Sequence, residues 1–266
     1  MSENVGATRT GRARRRPSPW FLATEAPRAA GEYALLQAAR PWLAAAPRGD
    51  GHQVLVLPGL GASDRSTVPL RRFLSGLGYE VHGWGLGRNV PSPELVERLR
   101  GRARSLVAQA APGASTSLVG WSLGGIYARE IAKAAPEQVR QVVTLGSPFR
   151  STPDHESAVA PFLRRIAANR GIDVGPEREY GDDVPLAVPS TSVFTRSDGI
   201  VPWRACLDAA TGPHETLEVT ASHCGLGHHP AVLWIVADRL AQPPGTWEPM
   251  RVPSVLQPVI REHGGR

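Results

Sequence analysis

The sequence predicts an α/β domain in which a mostly parallel sheet of about six strands is flanked by helices and carries a small lid-like insertion. Three observations lead there. Short runs nearly continuous in apolar and β-branched residues recur along the chain, as strands covered on both faces require. Segments of helical period separate them, and strand alternating with helix implies parallel pairing. The 266 residues, 41% of them hydrophobic, suffice for one large core, and no uncharged apolar stretch reaches the length of a membrane span.

The predicted strands are "QVLVLP" (53–58), "YEVHGW" (79–84), "TSLVG" (116–120), "VRQVVTLG" (139–146), "STSVFT" (190–195) and "TLEVT" (216–220). Between them, residues 66–77 place Val68, Leu70, Phe73, Leu74 and Leu77 at helical spacing, with Ser66 as N-cap and Gly78 as stop. A second helix is expected over 93–110, with Pro93 at its first position. A third follows Ser122 and ends before Pro136, and the last is "PAVLWIVADRL" (230–240). Residues 27–46 read as an amphipathic helix interrupted at Pro41, within an N-terminal helical region taken as 27–50. The core domain is expected over 51–242, its long insertion at 147–189 forming a lid, with residues 243–266 as a C-terminal tail.

The net charge of +6 is almost wholly arginine, since Lys133 is the only lysine. Arg9, Arg12, Arg14, Arg15 and Arg16 cluster at the start, so residues 1–26 read as a basic, disordered arm. Glu25, Arg28 and Glu32 interrupt what would be the apolar part of an export signal. A cytoplasmic protein is expected. Trp20 and Phe21 beside the arginines allow peripheral attachment to an anionic membrane surface. Nucleic-acid binding is not expected, because no recognition motif accompanies the charge. Cys206 and Cys224 have no metal-binding spacing, and a reducing compartment favours two thiols.

"LVGWSLGG" (118–125) sets Ser122 between a predicted strand and a predicted helix. The Gly-x-Ser-x-Gly pattern alone is weak; its context is not. A reversal within one residue needs small neighbours, and it exposes a hydroxyl beside the unpaired N–H groups of a helix N-terminus. Such a serine needs a base and an orienting acid. Asp198 in "RSDGIVPW" and His223 in "ASHCGLGHHP" each follow a predicted strand, so Ser122, Asp198 and His223 are expected at the carboxyl ends of separate strands. The rivals fit less well. Asp154, Asp182 and Asp183 lie in the insertion, His214 precedes its strand, and His228 and His229 adjoin the last helix. The turn "LPGLGASD" (57–64) offers the amide of Leu60 as one oxyanion donor, and Leu123 offers the other. Trp121, Phe149 and Trp203 are candidates for an apolar acyl pocket.

Together "PGLGASD", "GWSLGG", "SDGIVPW" and "SHCGLG" resemble the α/β-hydrolase superfamily, in particular its bacterial lipase and esterase branch. Pro58 stands where that branch's oxyanion loop has a histidine. The resemblance covers about residues 50–242. It implies a serine hydrolase acting on small-molecule carboxylic esters through an acyl-enzyme, with no metal or organic cofactor. Acyl transfer and thioester cleavage would use the same residues, and a non-catalytic membrane-surface module is the reading from another class.

Overall fold

The structure, a computed structural model, describes residues 16–90, 92, 94–95, 97–99, 101–102, 105, 115–150, 157–158, 184–208 and 212–263. All six predicted strands form: β1 (Gln53–Leu57), β2 (Glu80–Gly83), β3 (Thr116–Trp121), β4 (Val139–Leu145), β5 (Ser190–Phe194) and β6 (His214–Val219). They pair in parallel in the order β2-β1-β3-β4-β5-β6. A seventh, β7 (Ile260–Glu262), adds to β6 antiparallel. The segment expected to trail away as a tail therefore closes that edge, with Ile260 buried.

Alternation along the strands divides the core. Val54, Val56, Val119 and Val143 face one side, against the helices α1 (Pro19–Leu43), α2 (Val68–Gly76) and α4 (Pro230–Leu240). Leu55, Leu57, Leu118 and Val142 face the other, where α3 (Leu123–Ala134) supplies Ala128 and Ile131. Burial of each such Val or Leu side chain is worth roughly 1.5–3 kcal/mol. Leu95 and Leu99, in the helix expected over 93–110, pack into this second layer; part of that helix lies outside the described residues.

Two helices begin elsewhere than the sequence suggests. For α2, Thr67 takes the N-cap position, while the Ser66 hydroxyl donates to Ser63 O at 2.8 Å. For α1 the difference is larger. It runs unbroken from Pro19 through Pro27 and Pro41, so a helix occupies the end of the segment expected as an arm. A proline in a helix removes an N–H and crowds the preceding turn, but tertiary packing offsets that cost here. Trp42 stacks on Trp234 of α4 at 4.4 Å between ring centroids, and Leu36 and Leu43 are buried.

Among the described residues no helix is long and apolar enough to cross a membrane. The basic residues 1–15 and most of the expected lid, including Asp154, Phe162, Asp182 and Asp183, lie outside the described residues.

Candidate active site

β3 ends at Trp121 and α3 begins at Leu123, so the whole reversal falls on Ser122. Its backbone sits at φ 52, ψ −122, and among the described residues no other non-glycine has a positive φ. Such a conformation costs about 1–3 kcal/mol and persists only where surrounding contacts impose it. The Ser122 N–H donates to Leu145 O at 2.8 Å, and its carbonyl accepts from Gly125 N–H at 2.9 Å. The chain is crowded as the sequence predicts. A Cβ on Gly120 would lie 2.3 Å from the Gly125 Cα.

Asp198 and His223 occupy the loops after β5 and β6, both almost fully buried. Asp198 Oδ1 accepts from the amides of Ile200 (2.8 Å) and Val201 (2.7 Å), which leaves Oδ2 facing His223 Nδ1 at 2.6 Å. A carboxylate only accepts, so Nδ1 carries the proton and Nε2 is left with its lone pair. Burial alone would disfavour the imidazolium, but the charge and hydrogen bond of Asp198, with a further contribution from Glu25, outweigh it and raise the His223 pKa above its ordinary value. The structure brings Asp198 and His223 together directly. Among the described residues no hydrogen bond joins His223 to the Ser122 hydroxyl; such contacts often tighten only when substrate binds. Proximity is set by the strands: a Cβ on Gly146, just past the residue bonded to Ser122, would come 3.1 Å from His223 Nδ1.

The rival histidines are engaged elsewhere. His229 caps α4, its Nδ1 accepting from Ala231 N–H, and burial lowers its pKa to about 4. His228 Nε2 meets Ala29 O at 2.9 Å, and His214 Nδ1 meets Ser190 Oγ at 2.8 Å. At the amino ends of the strands, Asp50, His52 and Ser117 form a second chain, with contacts of 2.5 and 2.8 Å. Ser117 is completely buried, so this is a clasp between strands that no substrate reaches.

The amides of Leu60 and Leu123 both lack a protein acceptor among the described residues. Leu123 is the first residue of α3, where a helix leaves its N–H groups unpaired. The Leu60 turn is braced by Asn89, a buried residue that no motif or spacing singles out. Its side chain donates to Pro58 O at 2.7 Å, and its carbonyl accepts from Gly61 N–H at 2.7 Å.

The three pocket candidates have distinct surroundings. Trp121 Nε1 donates to His223 O at 3.1 Å, so the indole steadies the His223 loop. Phe149 is 2% exposed and lies under the Arg129 guanidinium, 4.0 Å from its ring centroid. Trp203 stacks on Phe194 at 5.6 Å and is flanked by Arg196 and Arg204. It lines a cavity of about 230 Å³ beside Asp198, which the arginines make cationic at its rim. Aromatic type and nearness in sequence do not separate a brace from a pocket wall. Cys206 and Cys224 are free thiols, and burial pushes Cys224 up to about 12, so both are inert as nucleophiles.

No family model and no curated protein matches the chain. Solved structures do. A pyrethroid hydrolase is 16% identical, with a TM-score of 0.52 over 71% of this chain and 96% of its own. The monoacylglycerol lipase of Paleococcus ferrophilus is 18% identical, with a TM-score of 0.51 over 72% and 96%. Lipase B of Aspergillus fumigatus, 16% identical with a TM-score of 0.50, is matched over 76% of this chain and 55% of its own. The parallel sheet, the strand-to-helix serine turn and these likenesses together identify the architecture: the chain adopts an α/β-hydrolase fold.

Proposed function

We propose that the protein is a serine hydrolase of carboxylic esters, with Ser122 as nucleophile, His223 as general base and acid, and Asp198 as the group that orients the imidazole. The observation that carries this reading is the strained Ser122 turn at the end of β3, two and three strands along the sheet from the loops that hold the buried pair Asp198 and His223, whose free nitrogen is Nε2. Strain of that kind has no packing purpose that glycine would not serve better.

The chemistry follows from the groups. Nε2 of His223 takes the hydroxyl proton as Ser122 Oγ attacks the ester carbonyl. The oxyanion is held by the amides of Leu60 and Leu123, each donor worth roughly 3–4 kcal/mol in the transition state. Protonated His223 then delivers its proton to the leaving alcohol, and Asp198 stabilises the imidazolium while it lasts. Water, deprotonated by the same nitrogen, attacks the acyl-serine, and as the bond to Ser122 Oγ breaks His223 returns that proton to Oγ and the acid is freed. The substrates are expected to carry apolar acyl groups; the pyrethroid hydrolase and monoacylglycerol lipase among the structural neighbours accord with ester cleavage.

A profile of 4-nitrophenyl esters with acyl chains of about two to sixteen carbons, a range wide enough to expose an acyl preference, tests this on wild type, Ser122→Ala, Asp198→Ala and His223→Ala. Loss of turnover in all three variants, with His228→Ala active, is the expected pattern. Activity in His223→Ala together with loss in His228→Ala would reassign the base.

A further inference from the structure

Helix α1 docks on both loops that carry the candidate acid and base, and it does so through carboxylates. Glu25 is 5% exposed. Its Oε1 accepts from Gly199 N–H at 2.9 Å, directly after Asp198, and from His223 N–H at 3.2 Å, while Oε2 accepts from Cys224 N–H at 2.9 Å. Arg28, one turn on, pairs with Oε1 at 2.8 Å and also donates to the carbonyls of Phe21, Ser197 and Ala221. Glu32 accepts from both the N–H and the hydroxyl of Ser222 at 2.6 Å.

The loops are shaped for this helix. A Cβ on Gly199 would lie 2.3 Å from Leu22 N, and one on Gly225 would lie 1.3 Å from Glu32 Oε2. Gly199 admits no side chain while the backbone of α1 is docked, and at Gly225 a side chain would displace the Glu32 carboxylate. Burying a carboxylate costs several kcal/mol unless hydrogen bonds compensate. Glu25 meets that condition through three loop N–H groups that apolar packing would leave unpaired, and in doing so it places a carboxylate next to His223.

We propose that Glu25 is a positioning residue of the active site: it ties the Asp198 turn to the His223 loop through three backbone amides and keeps a fixed negative charge beside the imidazole. The inference rests on the reading of His223 as general base. α1 is then part of the catalytic apparatus, and the imidazolium formed during acyl transfer is served by two carboxylates, Asp198 through Nδ1 and Glu25 through space. The other groups facing this region do not replace that charge. Arg28 sits on Glu25, Glu32 is taken up by Ser222, and Cys224, raised by burial and then by Glu25, stays a neutral thiol. Burial opposes protonation of His223, while Asp198 and then Glu25 favour it. Removing the Glu25 charge therefore moves the imidazole titration to lower pH.

The test uses the full chain with Glu25→Gln and Glu25→Asp. It reads the pH profile of kcat/KM on 4-nitrophenyl butyrate and, independently of activity, the NMR titration of the His223 ring. In E25Q both the acid limb and the ring titration are expected to move to lower pH. In E25D the charge is kept, so the titration holds, but the shorter side chain cannot span both loops, and kcat falls roughly tenfold or more with KM little changed. A folded E25Q that titrates with wild type overturns the proposal, as a brace without electrostatic effect would behave that way. Should E25Q not fold, E25D decides: wild-type kcat there overturns it. If wild type hydrolyses no ester, the hydrolase reading fails, and the NMR arm still decides whether Glu25 holds His223.

Discussion

Replacing Asp198 by asparagine tests whether the acid sets the tautomer of the base. In the native turn Oδ1 is held by the amides of Ile200 and Val201, so only Oδ2 faces His223. In Asp198→Asn the new side chain can keep its carbonyl oxygen on those two amides, and then its NH₂ group meets Nδ1. The imidazole has to accept there and carry its proton on Nε2, the atom required to take the serine proton. Geometry is preserved while the base is blocked. A loss of charge stabilisation alone would slow the reaction far less than a locked tautomer, which costs about 10⁴ in kcat in a comparable triad, or about 5.5 kcal/mol of barrier. The assay is kcat on 4-nitrophenyl butyrate, with urea denaturation as a check on folding. A folded Asp198→Asn enzyme that keeps a tenth or more of wild-type kcat (about 1.4 kcal/mol or less of lost barrier stabilisation) would refute the reasoning.

Other outcomes follow from the same contacts. Ser122→Gly relieves the positive-φ strain and is expected to raise stability by about 1 kcal/mol in denaturant titration while abolishing turnover; a loss of stability would contradict the strain. Gly120→Ala puts a Cβ 2.3 Å from the Gly125 Cα, so a destabilisation of more than about 3 kcal/mol or failure to fold is expected. Because the His223 pKa is raised, the neutral base is lost as pH falls, and the acid limb of kcat/KM is expected above pH 6.5; a limb below that value would contradict the pairing. His229 behaves in the opposite sense. Its folded pKa of about 4 lies below the unfolded value, so stability is lost as pH falls from about 6.5 towards 4, by up to roughly 3 kcal/mol. His229→Asn, which keeps a capping acceptor, is expected to flatten that part of the stability curve.

The parallel strands were legible in the sequence because they are apolar on both faces, and the placement of Ser122, Asp198 and His223 because each lies in the turn or loop that follows one of them. That the amides of Leu60 and Leu123 lack an acceptor among the described residues was legible for a related reason: a turn after a strand and a helix start leave N–H groups free. What escaped was long-range and polar. Glu25 lies far along the chain from Gly199, His223 and Cys224, and α1 meets them through carboxylate–amide bonds, which produce no apolar period. Pro41 reads as a helix breaker and Pro27 as a helix start when their packing is unknown, yet α1 runs through both. β7 is three residues long and amphipathic only at Ile260, too short for a period-2 signal. Trp121 shows the limit from the other side. An indole beside a serine suggests a pocket, and no sequence signal announces the bond from its N–H to His223 O.

The most direct measurement is mass-spectrometric mapping of a fluorophosphonate adduct after brief treatment of wild type, Ser122→Ala and His223→Ala at neutral pH. Modification confined to the peptide containing Ser122 in wild type, absent in Ser122→Ala and strongly slowed in His223→Ala, is the expected result. An adduct on another residue, or ester hydrolysis by Ser122→Ala at the wild-type rate, would contradict the assignment of Ser122 as nucleophile.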